Sequence, residues 1–364
     1  MTAALSPLAS LLTPELAELH AYAPVAGRFE VRLDANECPP MFTPEARARL
    51  AAALAEPDPA RYPDARLTDL RSAIAARCEA EPEEVLVGAG SDEVISMLLT
   101  ALGRPRAGAP TATVVTLSPT FVMYKVSARA RGMKVMEVPL DRGWDLDVAA
   151  MTRALEIARP NVVFVASPNN PTGALMSEDR LEAVIAAAPE ALVVVDEAYV
   201  DFAPRAQLDL RRRHPNVAVM RTLSKIGFAG LRVGWLLGPA DLVAEINKVR
   251  LPYNVPSPCQ RAATVALREL GGEIARVASA VVEERERLAA GLRGLGLEVA
   301  PSHANFLWVE TRRPAGEVHQ ALADRGVLVR SFHAAGGRLG RRIRVTVGLC
   351  EENDRLLAEL GSCA

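Results

Sequence analysis

The stretch Ala191-Leu192-Val193-Val194-Val195-Asp196-Glu197-Ala198-Tyr199 decides the fold class, because it contains a continuous apolar run. This run ends directly in two carboxylates. An apolar run without polar alternation predicts a strand that is buried on both faces. Similar runs recur between longer helical patterns, at residues 85–87, 114–117, 135–138, 162–165, 217–220 and 233–237. Strands of this kind separated by helices predict an α/β fold with a mainly parallel, doubly wound sheet.

The C-terminal third of the chain predicts a smaller α+β domain. A proline-rich segment at 251–258 precedes a long helical pattern from about Gln260 to Arg293, with Gly294 as its stop. Short apolar runs then follow at 306–309, 327–329 and 343–347. We expect a segment 1–40 that packs with the small domain, a large domain 41–255 and a small domain 256–364.

Charge and cysteine content exclude several classes of protein. The 42 basic and 44 acidic residues give a net charge of −2, so no global field favours nucleic acid or a membrane. The local exception, Arg211-Arg212-Arg213, is predicted to be a solvated loop. Five scattered cysteines argue against a disulfide framework and a zinc site. With no signal-peptide pattern and no membrane-length apolar run, we expect a cytoplasmic protein that binds no metal.

Ligands of parallel sheets bind beyond the carboxyl ends of the strands, so the residues that follow each apolar run are the candidates for chemistry. Small residues around Ser91 and Asp92 enter a helix whose free N–H groups suit a phosphate, unless they form a plain turn. The turn 167–173 either presents the Asn170 amide to a ligand or is only a loop. Asp196 needs a positive partner if it is buried, and otherwise is a surface acid that ends a strand.

The fourth strand end carries the most functional groups. Two hydroxyl residues, Thr222 and Ser224, are followed by Lys225 and then by Arg232. These groups lie within a dozen residues of the end of the run 217–220. Together they can bind a phosphate and leave one amine free for covalent chemistry.

In this order the motifs resemble those of the fold type I pyridoxal-phosphate (PLP) aminotransferases, and within them the histidinol-phosphate aminotransferase family. The similar segments are residues 33–37, 61–64, 90–93, 119–124, 167–173, 196–199, 221–225, 252–255, 329–330 and 343–348. The resemblance implies PLP as the cofactor and a ping-pong reaction. In that reaction L-histidinol phosphate gives its amino group to the cofactor and 2-oxoglutarate collects it as glutamate, in histidine biosynthesis.

The resemblance also implies roles around the cofactor ring. Lys225 bonds covalently to the cofactor aldehyde and moves the proton between Cα and the C4′ carbon. Asp196 keeps the pyridine nitrogen protonated, which makes the ring an electron sink. Asn170 and Tyr199 hydrogen-bond the ring hydroxyl. Phe121 stacks on the ring, where many relatives have tyrosine.

Further roles concern the phosphate and the substrate. The residues expected to hold the cofactor phosphate are Ser91, Asp92, Thr222, Ser224 and Arg232. The family is typically a homodimer with shared active sites, and Tyr62 matches a tyrosine that reaches the partner's cofactor phosphate. Arg344 matches the arginine that grips the substrate carboxylate, and Arg330 is expected to add a second positive charge for a substrate phosphate.

Two departures and three alternatives accompany this interpretation. Lys225 and Arg232 are one residue closer than in many relatives, and the segment 34–39 differs from the usual Asn-Glu-Asn-Pro, which leaves a substrate contact there open. The alternatives on the same fold are an aromatic-amino-acid aminotransferase and a threonine-phosphate decarboxylase. A catalytically idle binding protein is a third, but binding alone does not need Lys225.

Overall fold

The computed structural model describes residues 11–19, 21, 23 and 25–363. Their strands are β1 (Val31–Leu33), β2 (Val85–Ala89), β3 (Thr113–Ser118), β4 (Lys134–Pro139), β5 (Val162–Ala166), β6 (Leu192–Asp196), β7 (Val217–Thr222), β8 (Val233–Leu237), β9 (Glu298–Val299), β10 (Phe306–Glu310), β11 (Val327–Ser331) and β12 (Arg342–Thr346). Their α-helices are α1 (Pro44–Ala55), α2 (Thr68–Arg77), α3 (Ser91–Ala101), α4 (Met123–Arg129), α5 (Val148–Ala158), α6 (Glu178–Ala186), α7 (Leu210–Arg213), α8 (Ala240–Asn247), α9 (Ser257–Glu269), α10 (Gly271–Gly294), α11 (Ala315–Ala323) and α12 (Cys350–Cys363).

The larger sheet has seven strands in the order β2-β8-β7-β6-β5-β3-β4. Strands β3 to β7 pair in parallel, and β8 pairs antiparallel with both β7 and β2. The apolar runs are covered on both faces, since Val193, Val194 and Val195 have no exposed surface. The predicted α/β fold with a mainly parallel sheet is therefore confirmed.

The reversal at β8 positions the loop with the candidate lysine. Only residues 223–232 separate β7 from β8, and they contain two short 3₁₀ turns but no α-helix. A parallel return needs a crossover of a dozen or more residues, usually a helix. The chain therefore turns back antiparallel, and the loop 223–232 stays at the carboxyl end of β7.

The smaller sheet has five strands in the order β1-β11-β12-β10-β9. Strand β1 pairs in parallel with β11, and the other pairs are antiparallel. Residues 31–33 thus join the smaller sheet, whereas Pro14 and Glu15 line a groove at the edge of the larger sheet with Lys134. Helices α1 and α2 pack against α9. The proposed division at residues 40 and 255 stays a prediction.

Two local predictions need correction. The arginine run is not a solvated loop, because residues 210–213 form α7 and Arg211 is buried. Its guanidinium donates to Glu84 Oε1 at 2.6 Å and to the carbonyl of Glu79 at 3.0 Å, so both of its terminal nitrogens are paired within the protein. The long helical pattern is also two helices, because α9 ends before Leu270 and α10 starts at Gly271.

A helix that crosses a bilayer must be both long and apolar. None of the helices in the described residues combines the length and the apolar character that a bilayer span requires.

Candidate active site

One pocket lies at the carboxyl ends of β5, β6 and β7. Ten of the residues predicted from the sequence line it: Ser91, Asp92, Phe121, Asn170, Asp196, Tyr199, Thr222, Ser224, Lys225 and Arg232. The pocket is completed by Tyr124, Ala166, Pro168 and Ala198. Residues far apart in the chain therefore meet where the parallel-sheet rule predicts a ligand.

Asp196, the last residue of β6, is a buried acid at this pocket. It is 4% exposed, so the alternative of a surface acid is wrong. Its Oδ1 accepts the backbone N–H of Ala198 at 3.0 Å, and its Oδ2 accepts the hydroxyl of Tyr124. Loss of water raises the pKa of Asp196 to about 6, although these hydrogen bonds and the charge of Lys225 act in the opposite direction.

Tyr124 is a site residue to which the sequence analysis assigned no role. It lies at the start of α4 without exposed surface, and its ring stacks on Phe164 at 4.6 Å between centroids. The edge of Phe121 meets the same ring at 5.5 Å. Burial holds the pKa of Tyr124 well above its ordinary value, so its hydroxyl stays protonated and donates a hydrogen bond to Asp196 Oδ2. Its spacing of three residues from Phe121 was the available signal.

Lys225 lies in a 3₁₀ turn, Ser224–Ile226, directly after β7. Gly227 ends the turn with φ of 98°, which a residue with a side chain rarely adopts. The Lys225 amine is 5.8 Å from the centroid of the Tyr199 ring. Within the described part of the chain, this amine has neither an ion pair nor a hydrogen bond, so it is available to a ligand.

Close backbone packing forms an anion cradle on one side of the pocket. Gly90 precedes α3 with φ of 83°, and a side chain there would collide with the Arg232 guanidinium. Arg232 is 3.4 Å from Ser224 Oγ and 3.5 Å from Asp92 Oδ2, so both contacts are long. The N-terminus of α3 and the hydroxyls of Thr222 and Ser224 complete the cradle. The shorter loop thus still brings Arg232 to the pocket.

Asn170 and Tyr199 are each held by a side chain outside the pocket lining. Asn170 Oδ1 accepts a hydrogen bond from Arg344 at 2.6 Å. The Tyr199 hydroxyl accepts one from Asn36 Nδ2 at 2.9 Å. Asn36 is buried, and its φ of 56° lies in the left-handed region. The segment in which a substrate contact was left open thus supports Tyr199, a role that sequence reasoning missed.

Three predicted residues do not line the pocket. Arg344 is buried and reaches it through Asn170. Arg330 is exposed and lies directly opposite Arg344 in the β11–β12 register, so the two side chains share a face of the sheet. Tyr62 is 82% exposed and stacks on Tyr253 with ring centroids 4.6 Å apart.

Comparison with known proteins identifies the family. The family model "Aminotransferase class I and II" matches residues 30–360. The chain belongs to this family. It is 41% identical over 357 residues to a histidinol-phosphate aminotransferase of Methylibium petroleiphilum, covering 97% of this chain and 94% of the relative. A histidinol-phosphate aminotransferase of Chromobacterium violaceum is 40% identical over 353 residues, covering 96% of this chain and 97% of the relative.

A solved structure supports the fold assignment. The histidinol-phosphate aminotransferase of Sinorhizobium meliloti, determined in complex with pyridoxal-5'-phosphate, superposes with a TM-score of 0.86 at 25% identity. The superposition covers all of this aminotransferase chain and 98% of that one. The family and the fold type expected from the sequence are therefore confirmed.

The geometry is suited to a flat, phosphorylated aldehyde. The anion cradle, the Lys225 amine, the Phe121 ring and the buried Asp196 all border one space. A phosphate in the cradle gives Arg232 a stronger partner than its two long contacts do. A protonated ring nitrogen gives Asp196 the positive partner that a buried carboxylate needs.

Proposed function

We propose that this aminotransferase moves an amino group between L-histidinol phosphate and 2-oxoglutarate, with PLP as its cofactor, in histidine biosynthesis. The observation that carries the proposal is the likeness to histidinol-phosphate aminotransferases. It reaches about 40% identity and spans more than nine-tenths of both chains. The pocket adds independent support, because its groups match the chemical parts of PLP one by one.

When bound, PLP supplies the electron sink that stabilises negative charge on the substrate Cα. In the proposed mechanism the chain contributes binding, orientation and proton transfer. Asn170 and Tyr199 orient the ring from one side, and Asp196 faces its nitrogen. The Lys225 amine would hold the cofactor through its aldehyde carbon, and in its free form it would take the substrate Cα proton and deliver it to the C4′ carbon of the cofactor.

The two opposed arginines supply the proposed recognition of the substrate anion. Arg344 is fixed by Asn170 and by the carbonyl of Asp34, so its guanidinium is already oriented. A carboxylate and a phosphate both present paired oxygens that such a fork can bind. Arg330 lies across from Arg344 and adds positive charge. This charge attracts a dianionic phosphate ester more strongly than it attracts a carboxylate.

A direct assay tests the proposed donor. We expect the PLP-loaded protein to release glutamate from 2-oxoglutarate with L-histidinol phosphate at a kcat/KM at least about 100-fold above that with phenylalanine or tyrosine. A lost charged interaction is worth roughly this factor. Equal rates with the aromatic amino acids would instead make the protein an aromatic aminotransferase.

Substitution of the two arginines tests the recognition of the anion. Arg344→Ala should impair both half-reactions, because it removes the shared anion contact and the bond to Asn170. Arg330→Ala should impair L-histidinol phosphate selectively, by roughly 1.5–3 kcal/mol in kcat/KM. Single-turnover kinetics with glutamate and with L-histidinol phosphate measure the two effects separately.

An exposed arginine outside the site serves as the matched control. Arg104→Ala removes an arginine side chain that is exposed elsewhere on the surface, and it should leave both half-reactions unchanged. Equal, small losses for the two donors in Arg330→Ala would assign Arg330 to the scaffold, since exposed ion pairs contribute little. They would also weaken the case for a phosphorylated donor.

We also propose that the protein is a homodimer with shared active sites. Tyr62 and Tyr253 stack on each other while 82% and 42% of their surfaces are exposed. Such an exposed aromatic pair is typical of a contact surface, and a twofold dimer is the most frequent closed symmetry. In this arrangement Tyr62 reaches the cofactor phosphate of the partner subunit.

The cytoplasm is the proposed compartment. Cys38, Cys78, Cys259 and Cys350 are all free thiols in the described residues, which suits a reducing environment.

A further inference from the structure

We infer that Tyr124 is a positioning residue for the amino-transfer reaction, because its hydroxyl fixes the Asp196 carboxylate and keeps the shared proton on the cofactor ring nitrogen. The inference rests on the proposed function, since the ring nitrogen belongs to PLP. It assigns a role to a side chain that both lines the pocket and contacts the buried acid.

The position of the Tyr124 hydroxyl is fixed by its ring. Phe164 of β5 lies parallel to the ring with an interplanar angle of 4°, and Phe121 meets it at 84°. The side chain has no exposed surface. A ring confined on two sides and excluded from water holds its hydroxyl in one place, so the hydrogen bond to Asp196 also fixes the orientation of that carboxylate.

The carboxylate has one donor on each oxygen. Ala198 N–H occupies Oδ1 and the Tyr124 hydroxyl occupies Oδ2. The charged or titratable side chains that act on Asp196 are Tyr124, Asp92 and Lys225, and Tyr199 acts in turn on Tyr124. Only Tyr124 among these four donates a hydrogen bond to the acid, and it cannot lose its proton near neutral pH.

A ring nitrogen bound in this pocket would share one proton with Asp196, and that proton stays on the group that is the stronger base. A donor to the carboxylate stabilises its charged form and makes it the weaker base. Without the Tyr124 hydroxyl the proton moves from the nitrogen to Asp196 Oδ, which leaves a neutral ring and a neutral acid.

The test is Tyr124→Phe, which keeps the ring and its two aromatic contacts. The protein is loaded with PLP labelled with ¹⁵N in the ring, and NMR reports the ring-nitrogen shift across pH 6 to 9. We expect this shift to move toward the unprotonated value in the variant. The dissociation constant of PLP should rise roughly tenfold to a hundredfold, the range for a lost charged hydrogen bond.

A double-mutant cycle separates positioning from packing. In the Asp196→Asn background, Tyr124→Phe should change the PLP dissociation constant by less than about twofold, because the charged acceptor is gone. An unchanged ¹⁵N shift in Tyr124→Phe, with only a lower melting temperature, would overturn the inference. Failure of the unsubstituted protein to bind PLP would overturn the proposed function, and the role of Tyr124 with it.

Discussion

Lys225→Ala is expected to retain PLP binding and to lose essentially all turnover. The phosphate cradle and the contacts to the ring do not involve this amine, so the variant should still take up the cofactor. Its absorption spectrum should lack the band of the lysine-bound cofactor. Acid–base catalysis alone is typically worth about 10²–10⁴-fold, and Lys225 is also the covalent anchor, so the loss should reach at least the upper part of this range.

A control variant and a rescue experiment test this expectation further. Lys134→Ala removes an exposed lysine of the edge strand β4 and should leave turnover and spectrum unchanged. Added ethylamine should restore part of the turnover of Lys225→Ala, since a free amine can take the Cα proton in its place. If Lys225→Ala turned over within about tenfold of the parent, the acid–base role would belong to another residue.

The sequence predicted the position of this lysine because the signal was local. An uninterrupted apolar run marks a strand that is buried on both faces, and the sheet rule then places the next few residues at a ligand site. Asp196, Asn170 and Lys225 all follow such runs, and all three line the pocket. Their identification needed no knowledge of how the helices pack.

Other parts of the site depend on tertiary packing that no local pattern encodes. The partner of Tyr124 is set by how α4 packs on the sheet, and the partner of Asn36 by how the chain after β1 meets the larger sheet. Arg211 shows the same limit, because its acceptors Glu84 and Glu79 lie far away in the sequence. A run of three arginines resembles a surface loop until those acceptors are known.

For the pair Asp196 and Glu197, the local sequence predicts part of the arrangement and tertiary packing determines the rest. Adjacent residues at the end of a strand point to opposite sides, so only one of the two carboxylates can face the pocket. Glu197 is 1% exposed and binds both Arg221 Nε at 2.8 Å and Arg221 Nη2 at 2.7 Å. The sequence shows that the two acids must differ in role, and the contact with Arg221 assigns Glu197 to support of the strand end.

Asp196→Asn is the second substitution with a large expected effect. The amide keeps the shape of the side chain but cannot hold a proton on the ring nitrogen, so negative charge at Cα is poorly stabilised. Rates of both half-reactions should fall by about 10²-fold or more, comparable to the loss of a preorganised electrostatic contact. With PLP in large excess over its dissociation constant, occupancy should fall only modestly, because the phosphate cradle is intact. Normal transamination by this variant would leave Asp196 as a structural end of β6.

In the cofactor-free protein, Asp196→Asn should change the pH dependence of the free energy of unfolding. Burial raises the pKa of Asp196 to about 6 from 3.8, so between these values the unfolded chain loses its proton before the folded one does. The contribution of Asp196 to the free energy of unfolding therefore decreases as the pH rises from 4 to 6, and an amide at this position removes that contribution. Relative to the parent, Asp196→Asn should gain on the order of 3 kcal/mol between pH 4 and pH 7. Urea unfolding at both pH values measures this gain, and parallel pH profiles for the two proteins would show that Asp196 is ionised normally in the empty site.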